Sequence, residues 1–237
     1  MDGNSTIRAA APKGRIRIAG QQAVCDRSGA LWFEALSLLV VSDLHLEKGS
    51  AFARRGSFLP PYDTAATLSR LAQVVAQFEP KTVISLGDSF HDGGGAARMP
   101  EPFRAALGAM QAGREWYWIT GNHDPDAPQG VSGETVTDIT VGGLTFRHEP
   151  TLVSIAGEIA GHLHPGARIV QRGRSVRRRC FASDGRRLVM PAFGAFTGSL
   201  NVLDRAYRNL FDWTDFRAYM LGDQRVYPIA ADNLHPG

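Results

Sequence analysis

The sequence predicts an α/β protein built as one domain, with a parallel or mixed sheet followed by a second, more antiparallel sheet. Strand-like apolar runs alternate with amphipathic helical segments between residues 38 and 119, and this order gives right-handed crossovers between neighbouring strands. After residue 130 the pattern changes to short β-rich segments separated by turns. The 237 residues favour one domain over two. We therefore expect helices outside the first sheet and a second sheet beside it.

The first sheet is expected to begin with short strands in the segments RIRI, QQAVC and ALWF. The following apolar run, LLVV, is typical of a buried strand. Apolar residues then recur at helical spacing from Asp63 or Thr64, the expected N-caps, until Pro80 ends the pattern. The remaining elements of this half are, in order, a strand at 82–86, a helix at 100–113 and a strand at 116–119.

The second half of the chain is expected to supply the second sheet. Its β-rich segments are ETVTDITV, LTFRH, EIAGHLH, the pair ARIVQ and RSVRRRCF joined by an RG turn, and RRLVM. In the tail, a helix over residues 206–211 is expected within irregular structure. Residues 1–14 are polar, small and unpatterned, so we expect a flexible lead-in there and a single domain over residues 15–237.

The composition is that of a soluble globular chain. Apolar residues make up 43% and charged residues 21%, and the longest strongly apolar stretch, residues 36–41, is far too short to cross a bilayer. The N-terminal residues lack the apolar core of a signal peptide. Cys25 and Cys180 form no CxxC motif, which argues against a disulfide framework and a cysteine zinc site. We expect a soluble cytoplasmic protein.

Five apolar strand-like runs each end in residues that commonly bind metals. In open α/β sheets ligands bind beyond the carboxyl ends of the strands, so these run ends are expected to meet in one cleft. In the D-x-H and H-x-H segments, the intervening residue lets two side chains of an extended segment point the same way. The candidate ligands are Asp43, His45, Asp88, Asn122, His148, His162 and His164.

This set of donors is too large for one tetrahedral ion. Three carboxylate or amide groups and four imidazoles suit two ions instead. Mixed oxygen and nitrogen donors without thiolate favour Mn, Fe, Co, Ni or Zn over a calcium site, and ligand type does not choose among them. The sequence therefore predicts a two-metal centre.

The motifs D-x-H, GD, GNHD, H and GHLH occur in that order between residues 43 and 164. In this the chain resembles the calcineurin-like metallophosphoesterases, and the resemblance implies a four-layer αββα sandwich of two mixed sheets flanked by helices. Within that superfamily the segments FRHEP, GHLHP, RRRCF and LVMPAFGAFTG resemble the bacterial ligase-associated DNA damage response endonucleases, over residues 16–205.

The resemblance implies a role for each candidate ligand. One metal would be held by Asp43, His45, Asp88 and His164. The other would be held by Asp88, Asn122, His148 and His162, so that Asp88 bridges the two. The resemblance also implies that manganese is the expected metal, with Fe, Zn, Co or Ni as alternatives, and that the protein cooperates with a DNA ligase, a helicase and an exonuclease.

The two residues that follow Asn122 would take part in the chemistry. By the same resemblance, His123 would stabilise the transition state or protonate the leaving oxygen. Asp124 would either orient His123 or cap the GNHDP turn.

Other side chains near the first two motifs are candidate substrate contacts. Many superfamily members read GD-x-x-D, whereas GDSFHD places Asp92 one residue later and adds His91. His91 is either a substrate-facing side chain or a solvated loop histidine. Lys48, Arg54 and Arg55 either contact substrate phosphate from the rim of the cleft or lie in a solvated loop.

A basic segment follows the last motif. Residues 168–187 contain eight Arg and one Asp, although the whole chain carries a net charge of only +3. On an extended strand Arg177 and Arg179 share a face. This strand is either a DNA track or an edge strand that its charge protects from aggregation.

The sequence thus leads to a two-metal phosphodiesterase that cuts single-stranded or structured DNA by direct water attack, as an endonuclease of a repair system. Ester hydrolysis rests on the motifs, whereas DNA rests on the family resemblance and the charge. A phosphatase or pyrophosphatase acting on a nucleotide or another small ester would use the same metals. A third alternative is a non-catalytic binding scaffold, whose expected signature is missing ligands.

Overall fold

The computed structural model describes residues 14–57, 62–153 and 155–237. Two mixed β-sheets pack against each other, which confirms the predicted α/β sandwich. The predicted N-terminal lead-in lies, apart from Gly14, outside the described residues. Among the described residues, every helix is too short or too polar to span a membrane.

Within the described ranges, the first sheet has seven strands whose spatial order follows the chain. They are β1 (Arg15–Ile18), β2 (Gln21–Cys25), β3 (Leu31–Phe33), β4 (Leu38–Val41), β5 (Thr82–Leu86), β6 (Glu115–Ile119) and β7 (Glu134–Val136). Neighbours from β1 to β4 are antiparallel, and neighbours from β4 to β7 are parallel. Because β4, β5 and β6 run in the same direction, their carboxyl ends meet at one edge of the sheet.

Among the residues that the structure describes, four α-helices lie along this part of the chain. They are α1 (Lys48–Arg54), α2 (Asp63–Phe78), α3 (Gly95–Arg98) and α4 (Glu101–Gln111). The sequence pattern predicts α2 and α4, which pack Leu71 and Leu107 against the outer face of the first sheet. It does not predict α1 and α3, because their 7 and 4 residues are too few to show helical spacing.

The expected N-caps of α2 have a different role from the one predicted. Asp63 and Thr64 are the first two helical residues, and no side chain caps the helix. Instead, Thr64 Oγ1 accepts a hydrogen bond from the main-chain N–H of Glu47, and Asp63 Oδ2 accepts one from that of Gly49. The prediction that either residue is an N-cap is therefore wrong, because both side chains bind the backbone at the start of α1.

In the part of the chain that the structure describes, the second sheet has nine strands. They are β8 (Asp138–Val141), β9 (Leu144–Arg147), β10 (Glu158–Ala160), β11 (Pro165–Gln171), β12 (Arg174–Ser183), β13 (Leu188–Val189), β14 (Leu200–Asn201), β15 (Arg217–Leu221) and β16 (Val226–Ala230). The sheet is mainly antiparallel, as predicted, but β10 runs parallel to both β9 and β13. The buried side chains of Ile84, Phe146 and Phe181 lie in the core between the two sheets.

The outer face of the second sheet carries few helices. The helix predicted over residues 206–211 is wrong, since only a 3-10 helix at Arg205–Tyr207 forms, followed by turns. Tyr207, Phe211 and Phe216 belong to one core cluster with side chains of the sheet, and the Tyr207 hydroxyl donates to the main-chain carbonyl of Leu163. Packing of these aromatic residues on the sheet outweighs the local helical pattern.

Candidate metal centre

The seven predicted ligands come together where strands of both sheets end. Asp43, Asp88 and Asn122 follow the parallel strands β4, β5 and β6 of the first sheet, whereas His148 and His162 follow the parallel strands β9 and β10 of the second. The ends of these strands therefore face one another across the two sheets, which explains how residues distant in sequence converge.

One group of donors contains Asp43, His45 and His164, whose ligand atoms all lie within 4.8 Å of one another. His164 Nε2 is 3.1 Å from Asp43 Oδ1 and 3.4 Å from His45 Nε2. The second group contains Asp88, His148 and His162, again within 4.8 Å.

Asp88 lies between the two groups. Its Oδ2 is 3.8 Å from His45 Nε2 in the first group, and its Oδ1 is 3.5 Å from His148 Nε2 in the second. The Asn122 side chain completes the second group, since its Oδ1 is 3.0 Å from His148 Nε2. This arrangement places a carboxylate where a bridging ligand is expected.

The hydrogen bonding of His148 indicates that a cation belongs at the second group. Nδ1 faces the main-chain carbonyl of Leu86 at 2.9 Å, so Nδ1 carries the ring proton. In a neutral ring, Nε2 then holds a lone pair, yet it faces the oxygens of Asn122 and Asp88 and lies 3.1 Å from His162 Nδ1. Lone pairs directed at one another repel, and a metal ion between them would remove this repulsion.

The protonation state of the first group also fits a metal. Burial lowers the pKa of His45 to about 3, because the charged ring is poorly solvated there. Its Nδ1 is buried without a hydrogen-bond partner among the described residues. Burial opposes ionisation of Asp43, but hydrogen bonding and charge from His164 outweigh burial and lower the pKa of this carboxyl group. A neutral imidazole and an ionised carboxylate are the forms that bind metals.

The backbone at these ligands corrects one part of the sequence argument. Asp43, His45, Asp88, His162 and His164 have φ angles between 45° and 69°, in the left-handed region. The D-x-H and H-x-H segments are therefore not extended, and alternation along a strand does not explain why their side chains converge. Left-handed residues other than glycine are strained and cluster at functional sites.

The three glycines of the GD, GNH and GH motifs leave space for ligand side chains. A Cβ at Gly87 would lie 2.4 Å from the ring of His148, and one at Gly121 would lie 2.3 Å from Asp88 Oδ1. A Cβ at Gly161 would lie 2.7 Å from Asp43 Oδ2. Each motif thus supplies one ligand, and its glycine leaves room for a ligand that comes from another motif.

His123 is oriented by a group that the sequence argument did not identify. Its Nδ1 is 3.0 Å from the main-chain carbonyl of His91, and its Nε2 is 4.0 Å from Asp88 Oδ2. Asp124 instead accepts a hydrogen bond from the main-chain N–H of Phe90, and burial raises its pKa to about 6. These contacts contradict the orienting role expected of Asp124.

The family model for calcineurin-like phosphoesterases matches residues 36–181, which is more than half of the chain. The chain belongs to this family. The solved structures that it resembles include a nuclease, Pseudomonas putida nuclease MPE, at 27% sequence identity, with 92% of this chain and 100% of that one covered and a TM-score of 0.69. Yfce, a phosphoesterase from E. coli, is 15% identical, with 82% and 98% covered and a TM-score of 0.40. No curated protein matches.

This phosphoesterase is a metal-dependent hydrolase, and several basic residues border its centre. Lys48 and Arg54 lie on helix α1 rather than on a loop, and Arg55 follows directly at its end. Lys48 Nζ donates to the main-chain carbonyl of Phe196 at 2.9 Å. The ring of Phe52 on α1 lies 5.5 Å from that of His91, which lies 5.3 Å from that of His123, so α1 lies beside the rim of the centre.

Arg177 and Arg179 lie on one face of β12, as predicted, but both bind protein carbonyls. Arg179 donates to the carbonyls of Ala192 and Gly194 at 2.7 and 2.9 Å, and Arg177 donates to that of Ser199. Asp92 likewise lies outside the centre, because it forms an ion pair with Arg98 at 2.8 Å.

The sequence argument quoted the LVMPAFGAFTG segment but missed that its loop, residues 191–199, supports the first motif of the phosphoesterase. The main-chain N–H groups of Phe193 and Gly194 donate to the carbonyls of Ser42 and Asp43, and the Ser42 hydroxyl donates to Asp43 Oδ2 at 2.5 Å. It also missed Glu149, whose Oε1 is 3.8 Å from His162 Nε2. The motifs FRHEP and LVMPAFGAFTG contain these residues, but the sequence does not assign the contacts, since they depend on the folding of distant segments.

Proposed function

We propose that this protein is a two-metal phosphodiesterase that hydrolyses DNA as an endonuclease in DNA repair, in the cytoplasm. The observation that carries the proposal is the pair of donor groups that share Asp88. Two divalent ions held by these groups would supply an activated water and neutralise the phosphoryl oxygens. The donors suit Mn, Fe, Zn, Co or Ni alike, and the preference for manganese comes from the sequence resemblance.

Each side chain has a defined part in this proposal. One ion would be held by Asp43, His45, Asp88 and His164. The other would be held by Asp88, Asn122, His148 and His162.

His123 is the proposed acid. The His91 carbonyl fixes the proton on its Nδ1 side, which leaves Nε2 facing the centre near Asp88. The His123 side chain is 40% exposed, so it can reach a bound substrate. When Nε2 also carries a proton, it can stabilise phosphoryl charge or pass that proton to the leaving oxygen.

DNA as the substrate is supported by two observations. The structure that matches over 92% of this chain is named as a nuclease, and exposed arginines of β12 lie close in sequence to His164. A role in repair beside a DNA ligase, a helicase and an exonuclease rests on the sequence resemblance alone.

The test is incubation of manganese-loaded protein with circular single-stranded DNA, followed by a denaturing gel. A circle has no ends, so linear products can come only from endonuclease cleavage. Asp88→Ala should abolish cleavage because it removes the shared ligand. His123→Ala should retain the metals and slow cleavage by about 100-fold or more.

Metal content of each variant is measured in parallel. Full turnover by Asp88→Ala would refute the two-metal mechanism. If the loaded wild type cuts no DNA but hydrolyses nucleotides or pyrophosphate, the small-ester alternative replaces the DNA proposal. If it hydrolyses neither, the binding scaffold replaces both.

A further inference from the structure

The β11–β12 hairpin, residues 165–179, forms a basic ribbon that starts at the candidate metal centre. β11 begins at Pro165, directly after His164, and six cross-strand pairs extend from Gly166–Arg179 at the base to Gln171–Arg174 at the tip. At about 3.3 Å per residue, the tip is roughly 20 Å from His164 along the ribbon.

The ribbon is positively charged, and no acidic side chain within it balances that charge. It contains six arginines and no acidic residue. Four of the arginines are exposed, namely Arg172, Arg174, Arg177 and Arg178. Across the part of the chain that the structure describes, the arginine ion pairs all involve residues outside the ribbon. Such a charged array attracts a polyanion.

The pairing of the two strands adds a second argument. Arg168 lies directly opposite Arg177, and like charges at directly opposed positions destabilise a sheet. Arg168 donates to the Ser175 hydroxyl and to the carbonyl of Pro236, so neutral groups rather than carboxylates hold it. If the charges only protected an edge strand from aggregation, two arginines would not need to face each other. A phosphate group that binds Arg177 would offset the repulsion between the two charges.

The arginines lie on both faces of the ribbon. Directly opposed residues share a face, which puts Arg168 and Arg177 on one face and Arg174 and Arg178 on the other. Arg172 lies in the turn at the tip. A single DNA strand would contact one face and leave the other without phosphates. A two-stranded ribbon fits the major groove of duplex DNA, which is about 12 Å wide and has a phosphate backbone on each side.

We propose that the basic ribbon enters the major groove of a duplex segment next to the cleaved bond, with arginines of both faces contacting the two phosphate backbones. This inference rests on the proposed DNA phosphodiesterase function and adds that the substrate is a strand beside a duplex. Arg168 and Arg179 are not among the contacts, because both are only partly exposed and their guanidinium groups bind protein carbonyls. Arg177 also donates to a carbonyl, that of Ser199, but its side chain stays exposed.

The test measures DNA binding by fluorescence anisotropy in a His123→Ala background, which slows cleavage and keeps every candidate ligand. Two labelled DNAs of equal length are compared, a hairpin with a single-stranded tail and an unstructured oligothymidine. The variant Arg174→Gln/Arg178→Gln is compared with Arg15→Gln/Arg17→Gln. The control removes two exposed arginines of β1, the edge strand of the first sheet.

We expect the ribbon variant to raise the Kd for the hairpin by about 10-fold or more and to lower the salt slope of log K by about 2, since each duplex phosphate contact contributes about 0.9. The control variant should change neither quantity. Binding of the oligothymidine should change by less than about 2-fold. With His123 intact, hydrolysis of bis(p-nitrophenyl) phosphate by the ribbon variant should equal that of the wild type, which shows an intact fold and centre.

An unchanged hairpin Kd and salt slope would overturn the inference, and so would equal weakening of both DNAs. The result is independent of the test of function. Wild-type protein that binds the hairpin through the ribbon but cuts no DNA would refute the proposed function and leave the ribbon as a duplex-binding element.

Discussion

Replacing Gly121 by alanine is expected to disable the candidate metal centre without unfolding the protein. The new Cβ would lie 2.2 Å from the main-chain N of Asp88 and 2.3 Å from its Oδ1. Ordinary contact begins at 3.4 Å, so the main-chain N of Asp88 must move by 3.4 − 2.2 = 1.2 Å and its carboxylate oxygen by 3.4 − 2.3 = 1.1 Å. The φ angle of Gly121 lies outside the left-handed range, so the effect is a collision rather than backbone strain.

A displacement of this size exceeds what a functional site tolerates. Catalytic groups have to be held to within about 0.5 Å, and a misplacement of about 1 Å costs roughly 100-fold in rate. We therefore expect kcat/KM of Gly121→Ala for bis(p-nitrophenyl) phosphate to fall about 100-fold or more, with reduced metal content. Overpacking should cost about 1–3 kcal/mol of unfolding free energy, which leaves the protein folded.

Gly108→Ala is the matched control. Gly108 lies within α4, and a Cβ there would meet nothing within 4 Å. This variant should keep its activity and gain about 0.5–1 kcal/mol of stability, because glycine is a poor helix former. The reasoning is refuted if Gly121→Ala retains wild-type kcat/KM and metal content.

Three further predictions concern stability and reactivity. Arg187 is fully buried and binds the Glu158 carboxylate and the Leu210 carbonyl, so Arg187→Met should lose about 3–5 kcal/mol in urea unfolding; a loss below about 1 kcal/mol contradicts this. Arg179→Met should lose about 1–3 kcal/mol and leave the salt slope of DNA binding unchanged, whereas a flatter slope would make Arg179 a phosphate contact. Burial raises the thiol pKa of both Cys25 and Cys180, so Ellman's reagent should titrate them only after denaturation, and rapid labelling of the native protein would disprove their burial.

Local sequence predicts those helices and strands whose apolar residues recur at a regular spacing or whose ends are marked by a residue that breaks the pattern. The apolar run of β4 and the helical spacing of α2 and α4 mark elements whose burial is set by their own residues. The short helix α1 and the strands β15 and β16 carry no such signal. β15 forms because it pairs with β12, far earlier in the chain, and β16 then pairs with β15. Helix α1 packs against α2 and α3, so all three depend on tertiary contacts rather than on their own pattern.

The candidate site, like the fold, is predicted only in part by the sequence. The sequence by itself determined the donor types and their order, because the seven candidate ligands occur in five ordered motifs at the ends of apolar runs. Only the tertiary structure decided how they converge. The left-handed backbone at Asp43 and Asp88, the carbonyl of His91 behind His123, and the carbonyls that bind Arg179 all result from contacts between segments far apart in the chain. Local propensity carries no information about such contacts, because their energies arise only once both sheets and the loops between them have packed.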